Sequence, residues 1–147
     1  MTGKDIRRVE RVLREYPRNV RLCASLREEI SRLRTACDVH AQDYAGRVMS
    51  TAGNADPVSS YVQRLMSLEH RAAVLERYTR AVRKLQVMLQ LSTDRMSVHY
   101  LRILEEYYFC GVPASRLLEA TGWSRSTFYS RRLSVIGLAA DYLEREC

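Results

Sequence analysis

Apolar residues recur along this chain at steps of three and four. The first run is Ile6, Val9, Val12, Leu13 and Tyr16, the spacing of one helix face. Pro17 follows and is expected to interrupt or kink the helix, because proline lacks a backbone N–H and crowds the carbonyl four residues back. From about residue 18 the stripe resumes as Cys23, Leu26, Ile30, Leu33, Cys37, His40 and Tyr44. Alternating steps of three and four make a heptad seam, suited to packing on another helix. Segment 46–60, GRVMSTAGNADPVSS, ends the pattern with Gly46, Gly53, Asn54 and Pro57 among small polar residues. It reads as a loop. Asp56 before Pro57 has the form of an N-cap followed by proline at the first helical position.

A second stripe occupies 57–91: Val58, Tyr61, Leu65, Leu68, Ala72, Leu75, Tyr78, Val82, Leu85 and Leu89. Two long amphipathic helices joined by a loop make an antiparallel hairpin or a coiled coil. LSTDR (91–95) is a second break, with Ser92 or Thr93 as the expected cap. A third helix then runs to about Phe109 and turns Leu101, Leu104 and Tyr108 inward. CGVP (110–113) ends it, a short helix covers 114–121, and a last helix runs from about Arg125 to Glu144. With only 6 Gly and 3 Pro in 147 residues, long stretches lack breakers. The expected fold is all-α. A helical hairpin or coiled coil occupies 1–91, with its loop at about 46–57, and serves oligomerisation or partner binding. A C-terminal helix-turn-helix occupies 92–147.

The order helix, short helix, glycine, helix is what identifies that second domain. With Gly122 at the turn, Leu117, Trp123 and Phe128 fall where bulk locks two helices at a steep crossing. Gly122 enters the left-handed region without a Cβ penalty, and Ser124 suits the N-cap of the last helix. Arg125, Ser126, Tyr129 and Ser130 are left on the outward face of its first two turns. In a docked helix-turn-helix those turns enter the major groove. Arg125 would pair with guanine, the serines with bases or phosphates, and Tyr129 with a thymine methyl or a phosphate. Ser124, Thr127, Arg131, Arg132 and Arg116 are placed for the DNA backbone, where contacts position the protein without reading sequence.

Charge is consistent with a polyanionic partner, since the net charge is +7 with arginine far outnumbering lysine. Its distribution is uneven. From Asp94 onward acids and bases cancel, whereas 111–135 sets four arginines against Glu119 alone. The run RAAVLERYTRAVRKL (71–85) holds five basic residues and is a solvated helix face or a second phosphate-contacting surface. The N-terminus is charged, without the apolar core of a signal peptide, and no apolar run approaches the ~18 residues of a membrane span. A cytoplasmic protein without membrane attachment is expected. Cys23, Cys37, Cys110 and Cys147 lack CxxC spacing, which favours reduced thiols over zinc or disulfides. Cys37 and His40 are too few for a metal site, so neither metal nor cofactor is expected. No phosphate loop or Ser/His/Asp grouping is present, and Glu105 and Glu106 point about 100° apart on a helix. An enzyme is not expected.

Two segments, DPVSSYVQRLMSLEHRAAVLERYTRAVRKLQVMLQ and LRILEEYYFCGVPASRLLEATGWSRSTFYSRRLSVIGLAADYL, resemble the phage late-gene transcriptional regulators of the ArpU and RinA type. The specific parts are LxxYYFxG at 104–111, GWS at 122–124 and STFYSRR at 126–132. The resemblance implies a helix-turn-helix like the promoter-reading fourth region of sigma factors. It also implies a DNA-binding activator of phage or prophage genes that touches RNA polymerase. A homodimer would set two reading helices about one turn of DNA apart. Two departures stand out. Leu118 occupies a site that is usually small in such motifs, and Arg131 one that is usually apolar, which implies an altered crossing angle or a register one residue off. Two other classes share these features: a packaging protein like a small terminase subunit, whose DNA module usually comes first, and a helical adaptor that binds no DNA.

Overall fold

The computed structural model describes residues 1–46 and 57–146, with side chains for 1–39 and 59–146. Its elements are α1 (Gly3–Gly46), α2 (Pro57–Leu91), α3 (Arg95–Arg102), a π-helical stretch continuing α3 (Ile103–Phe109), α4 (Ala114–Thr121) and α5 (Arg125–Glu146). The fold is all-α, and no strand occurs among the described residues. Pro57 opens α2. The cap expected at Asp56 and the side chains of His40, Tyr44 and Val58 lie outside the described residues.

Two expectations are corrected. The helix is not interrupted at Pro17, because α1 runs through it. Proline removes one backbone bond, but Leu13 and Tyr16 before it are buried, and their packing outweighs that loss. The cap of α3 is neither Ser92 nor Thr93. Asp94 takes it, its carboxylate accepting from the Met96 N–H at 2.9 Å. Ser92 Oγ instead accepts from the Asp94 N–H at 3.2 Å and so shapes the turn ahead of the cap.

The chain forms two compact units, one of Arg21–Glu76 and one of Met1–Val20 with Arg77–Cys147. These run differently from a division at 91/92. The start of α1 and the end of α2 belong with α3, α4 and α5.

In the Arg21–Glu76 unit, Leu26, Ile30 and Leu33 of α1 pack on Leu68 and Ala72 of α2. Arg27 pairs with Glu76 and Arg34 with Glu69. Ascending positions on one helix meet descending positions on the other, so the pair is antiparallel. These ion pairs are largely solvent-exposed and set register more than stability. The heptad seam holds here through Leu26, Ile30 and Leu33, with Cys23 and Cys37 half-buried at its margins.

The other unit has one core. It gathers Val9, Val12, Leu13 and Tyr16 from α1, Val82, Leu85 and Leu89 from α2, and Ile103, Leu104 and Tyr108 from the π-helical stretch. Leu117 of α4 and Phe128, Val135, Ile136 and Ala139 of α5 complete it. Each large apolar side chain buried there contributes about 1.5–3 kcal/mol. The π-helical stretch departs from the 3.6-residue period. The Cys110 N–H donates to the Glu105 carbonyl at 2.9 Å, and the Val112 N–H to the Glu106 carbonyl at 2.9 Å, around Gly111 at φ 71°. The wider turn buries Ile103 beside Leu104 and Tyr108 and sends the flanking rings in two directions. Phe109 stacks on Tyr16 of α1 at 4.7 Å, and Tyr107 meets Phe128 of α5 edge to face at 5.2 Å. The Tyr107–Phe109 run thus joins the third helix to the motif, as its position suggests, and also to the N-terminal helix.

Candidate nucleic-acid interface

The α4–α5 junction is built by four local devices. Gly122 takes φ 76°, and its N–H donates to the Leu118 carbonyl at 2.8 Å, closing α4. Thr121 Oγ1 donates to the Leu117 carbonyl at 2.7 Å and accepts from the Trp123 N–H at 3.3 Å. Ser124 Oγ accepts from the Thr127 N–H at 3.2 Å, the N-cap bond of α5, and donates to Thr127 Oγ1 at 2.9 Å. Leu117 and Phe128 are buried on either side of the turn. The helices therefore meet as the glycine, the cap and the inward bulk require.

On α5, Arg125, Ser126, Tyr129 and Ser130 are all exposed. Leu133, 54% exposed, continues this face by one turn. Sequence reasoning missed Leu133, although it follows Ser126 and Ser130 at helical spacing. No carboxylate among the described residues pairs with Arg125. Two shallow grooves flank the face. One, of about 220 Å³, runs between α4 and α5 and is lined by Ala114, Ser115, Leu118, Arg125, Phe128 and Tyr129. The other, of about 310 Å³, lies between α3 and α5, with Ser126, Thr127, Ser130, Arg131 and Ser134 from α5 and Met96 and Tyr100 from α3.

The residues expected at the DNA backbone fall into three settings. Arg116 is exposed on α4, and Thr127 is half-buried at the start of α5. Ser124 spends its hydroxyl on the cap. Arg132 is turned into the unit, where its Nε donates to Glu10 Oε1 at 2.8 Å, the same oxygen that accepts from Tyr108 Oη at 2.9 Å. The two side chains of the ion pair are only 22% and 14% exposed. Burial alone would lower the Arg132 pKa, but hydrogen bonds with Glu10 and Tyr108 override it and hold the guanidinium charged. Burial pushes the Tyr108 phenol up, so it stays protonated and donates.

Arg131 is one of the two departures from the pattern that the resemblance implies. It stands at a site that is usually apolar, and its guanidinium lies over the Trp123 ring, 4.7 Å from the centroid. The aliphatic stem and planar head fill the place of an apolar side chain. Trp123 also meets His99 of α3 edge to face at 5.4 Å. Burial lowers the His99 pKa, with Arg131, Arg102 and Arg95 adding repulsion. None of the three α3 residues among these was expected to matter, though Arg95, His99 and Arg102 share a helix face at i, i+4 and i+7. Acids are paired elsewhere: Glu106 with Arg102, and Glu146 with Arg80 and Lys84.

No helix among the described residues is long and apolar enough to cross a membrane, and no group of three metal-ligating side chains occurs among them. Comparison of the chain with protein-family models, with curated proteins and with solved structures yields no match.

Proposed function

We propose that this protein is a sequence-specific DNA-binding transcriptional regulator, an activator of phage or prophage genes of the kind its motif residues resemble. One observation carries the reading. A glycine-turned, serine-capped helix pair presents Arg125, Ser126, Tyr129 and Ser130 outward with no carboxylate among the described residues to neutralise Arg125. A helix so presented fits the major groove. Arg125 is the residue for bidentate pairing with guanine, worth about 1–3 kcal/mol of discrimination. Arg116, Arg131 and Thr127 are its backbone contacts, while Arg132 and Ser124 hold the helix itself. Duplex DNA is the partner, with RNA polymerase and a second copy of the chain as protein partners in the cytoplasm of a bacterial host. The antiparallel unit Arg21–Glu76 is the element proposed for self-association.

Selection from a random-sequence duplex pool, with affinity followed against salt, tests this. An enriched motif is expected, and Arg125→Ala should relax one position of it by roughly 5–100-fold while leaving the melting curve unchanged. An unaltered selected motif in Arg125→Ala would remove the assignment. Non-specific binding with a steep salt slope would point to a packaging protein instead.

A further inference from the structure

The groove between α3 and α5 shares Ser126 and Ser130 with the outward face of α5 and adds Thr127, Arg131 and Ser134 beyond it. Its α5 side offers the hydroxyls of Ser126, Thr127 and Ser130 around Arg131, with Ser134 Oγ donating to the Ser130 carbonyl at 3.3 Å, and its α3 side adds Tyr100. Arg131 is held there by a ring face, without a carboxylate. Its guanidinium lies over Trp123, Nη1 is buried with no hydrogen-bond partner, and no acid among the described residues pairs with it. A cation so placed is partly stripped of water, which strengthens its attraction for an anion. The surroundings add positive charge. His99 meets Trp123 edge to face at 5.4 Å, and Arg95 and Arg102 share its helix face. Of the acids near them, Glu106 is paired with Arg102, and the Asp94 carboxylate caps α3, accepting from the Met96 N–H.

We propose that this groove seats one phosphodiester of bound DNA, with Arg131 as its charged arm, the α5 hydroxyls as neutral donors and His99 as a proton-linked second cation. The proposal rests on the DNA-binding reading above and specifies where the backbone runs relative to the reading face. A phosphate suits the groove because its several acceptor oxygens can take bonds from a guanidinium and from hydroxyls together. It lies beside the exposed stripe Ser126, Tyr129, Ser130 and Leu133, where a strand passes while the bases face the helix.

The proton linkage has a definite sign. In the unliganded protein, burial and then Arg131, Arg102 and Arg95 disfavour charge on His99. A phosphate in the groove offsets that repulsion and favours the imidazolium. Binding then takes up a proton, so affinity rises as pH falls from 8 toward 6.

The test uses the full chain and the duplex it selects. Arg131→Gln should lower affinity roughly tenfold across all sequences, leave the selected motif unchanged, and reduce the log–log salt slope by about 0.9. Arg131→Lys, which keeps the charge, should restore most of the slope and guards against a folding defect. His99→Gln should flatten the pH dependence. The His99 ring, followed by NMR, should titrate at higher pH in the complex than in the free protein. An unchanged salt slope in Arg131→Gln together with an unmoved His99 titration would overturn the phosphate seat while leaving DNA binding intact. Failure of the wild-type chain to bind any duplex would overturn the DNA reading instead. In that case inorganic phosphate is the probe: a saturable shift of the His99 signals, lost in Arg131→Gln, supports an anion seat, and no shift removes it.

Discussion

Glu10 anchors α5 from the first helix. Its carboxylate receives Arg132 of α5 and Tyr108 of the π-helical stretch, so one acid near the N-terminus ties down two elements about a hundred residues away. Removing it leaves a largely buried guanidinium without its partner, a costly state. Glu10→Gln should destabilise by about 2–4 kcal/mol in urea denaturation, while Glu10→Gln combined with Arg132→Met should recover much of that loss. A double variant no more stable than Glu10→Gln would show that the loss does not come from an unpaired guanidinium. Gly122 is the second such residue. A Cβ there would meet nothing within 4 Å, so the cost of Gly122→Ala is conformational alone, about 1–2 kcal/mol for leaving an L-residue at φ 76°. Gly122→Asn should cost less, since asparagine tolerates that region. A comparison of melting temperatures decides it, and equal losses for alanine and asparagine would contradict a purely backbone cause.

Individual helices were legible from spacing wherever the period stayed at 3.6. The bounds of α2 and α4, and the start of α5, follow from stripes ended by Gly, Pro or a capping serine. Legibility failed where a local rule met a stronger non-local one. Pro17 carries a strong local signal for a break, yet buried neighbours keep α1 continuous. Pro17→Ala should therefore stabilise, by about 1–3 kcal/mol, because it restores the N–H that the Leu13 carbonyl lacks. Thermal melting followed by circular dichroism reads this, and a lowered melting temperature would mean that the helix is shaped around the proline. The π-helical stretch was illegible for another reason. Its wider turn places Ile103 inward, a position that a 3.6-residue stripe through Leu101 and Leu104 leaves out. The candidate site divides the same way. Its outward face follows from one helix's period and a glycine, so Arg125, Ser126, Tyr129 and Ser130 were found. The commitment of Arg132 to Glu10, and the meeting of His99 with Trp123 and Arg131, depend on contacts across many residues, which no local spacing records.

At the scale of the molecule, the compact unit that holds α3, α4 and α5 also takes in Met1–Val20 and Arg77–Leu91. Its core takes Val9, Val12, Leu13 and Tyr16 from the first helix and Val82, Leu85 and Leu89 from the second. Seven buried side chains at about 1.5–3 kcal/mol each amount to about 10–21 kcal/mol, as much as the ~5–15 kcal/mol by which a whole domain is stable. A chain of residues 92–147 alone should therefore show no cooperative unfolding transition. Joining Val20 to Arg77 through a short Gly/Ser turn, with the Arg21–Glu76 unit left out, should retain one. The core side chains and the Glu10–Arg132 pair all survive in that splice, and so does every residue of the reading face. If Arg21–Glu76 mediates self-association, the spliced chain should bind a half-site with wild-type sequence preference but lose the tighter binding to paired half-sites. Denaturation curves and binding to single and paired sites separate these outcomes. Cooperative folding of 92–147 by itself would show that the N-terminal helix only covers a domain that is already complete. Paired-site binding by the spliced chain as tight as the wild type's would move self-association out of the antiparallel helices and into the unit of Met1–Val20 with Arg77–Cys147.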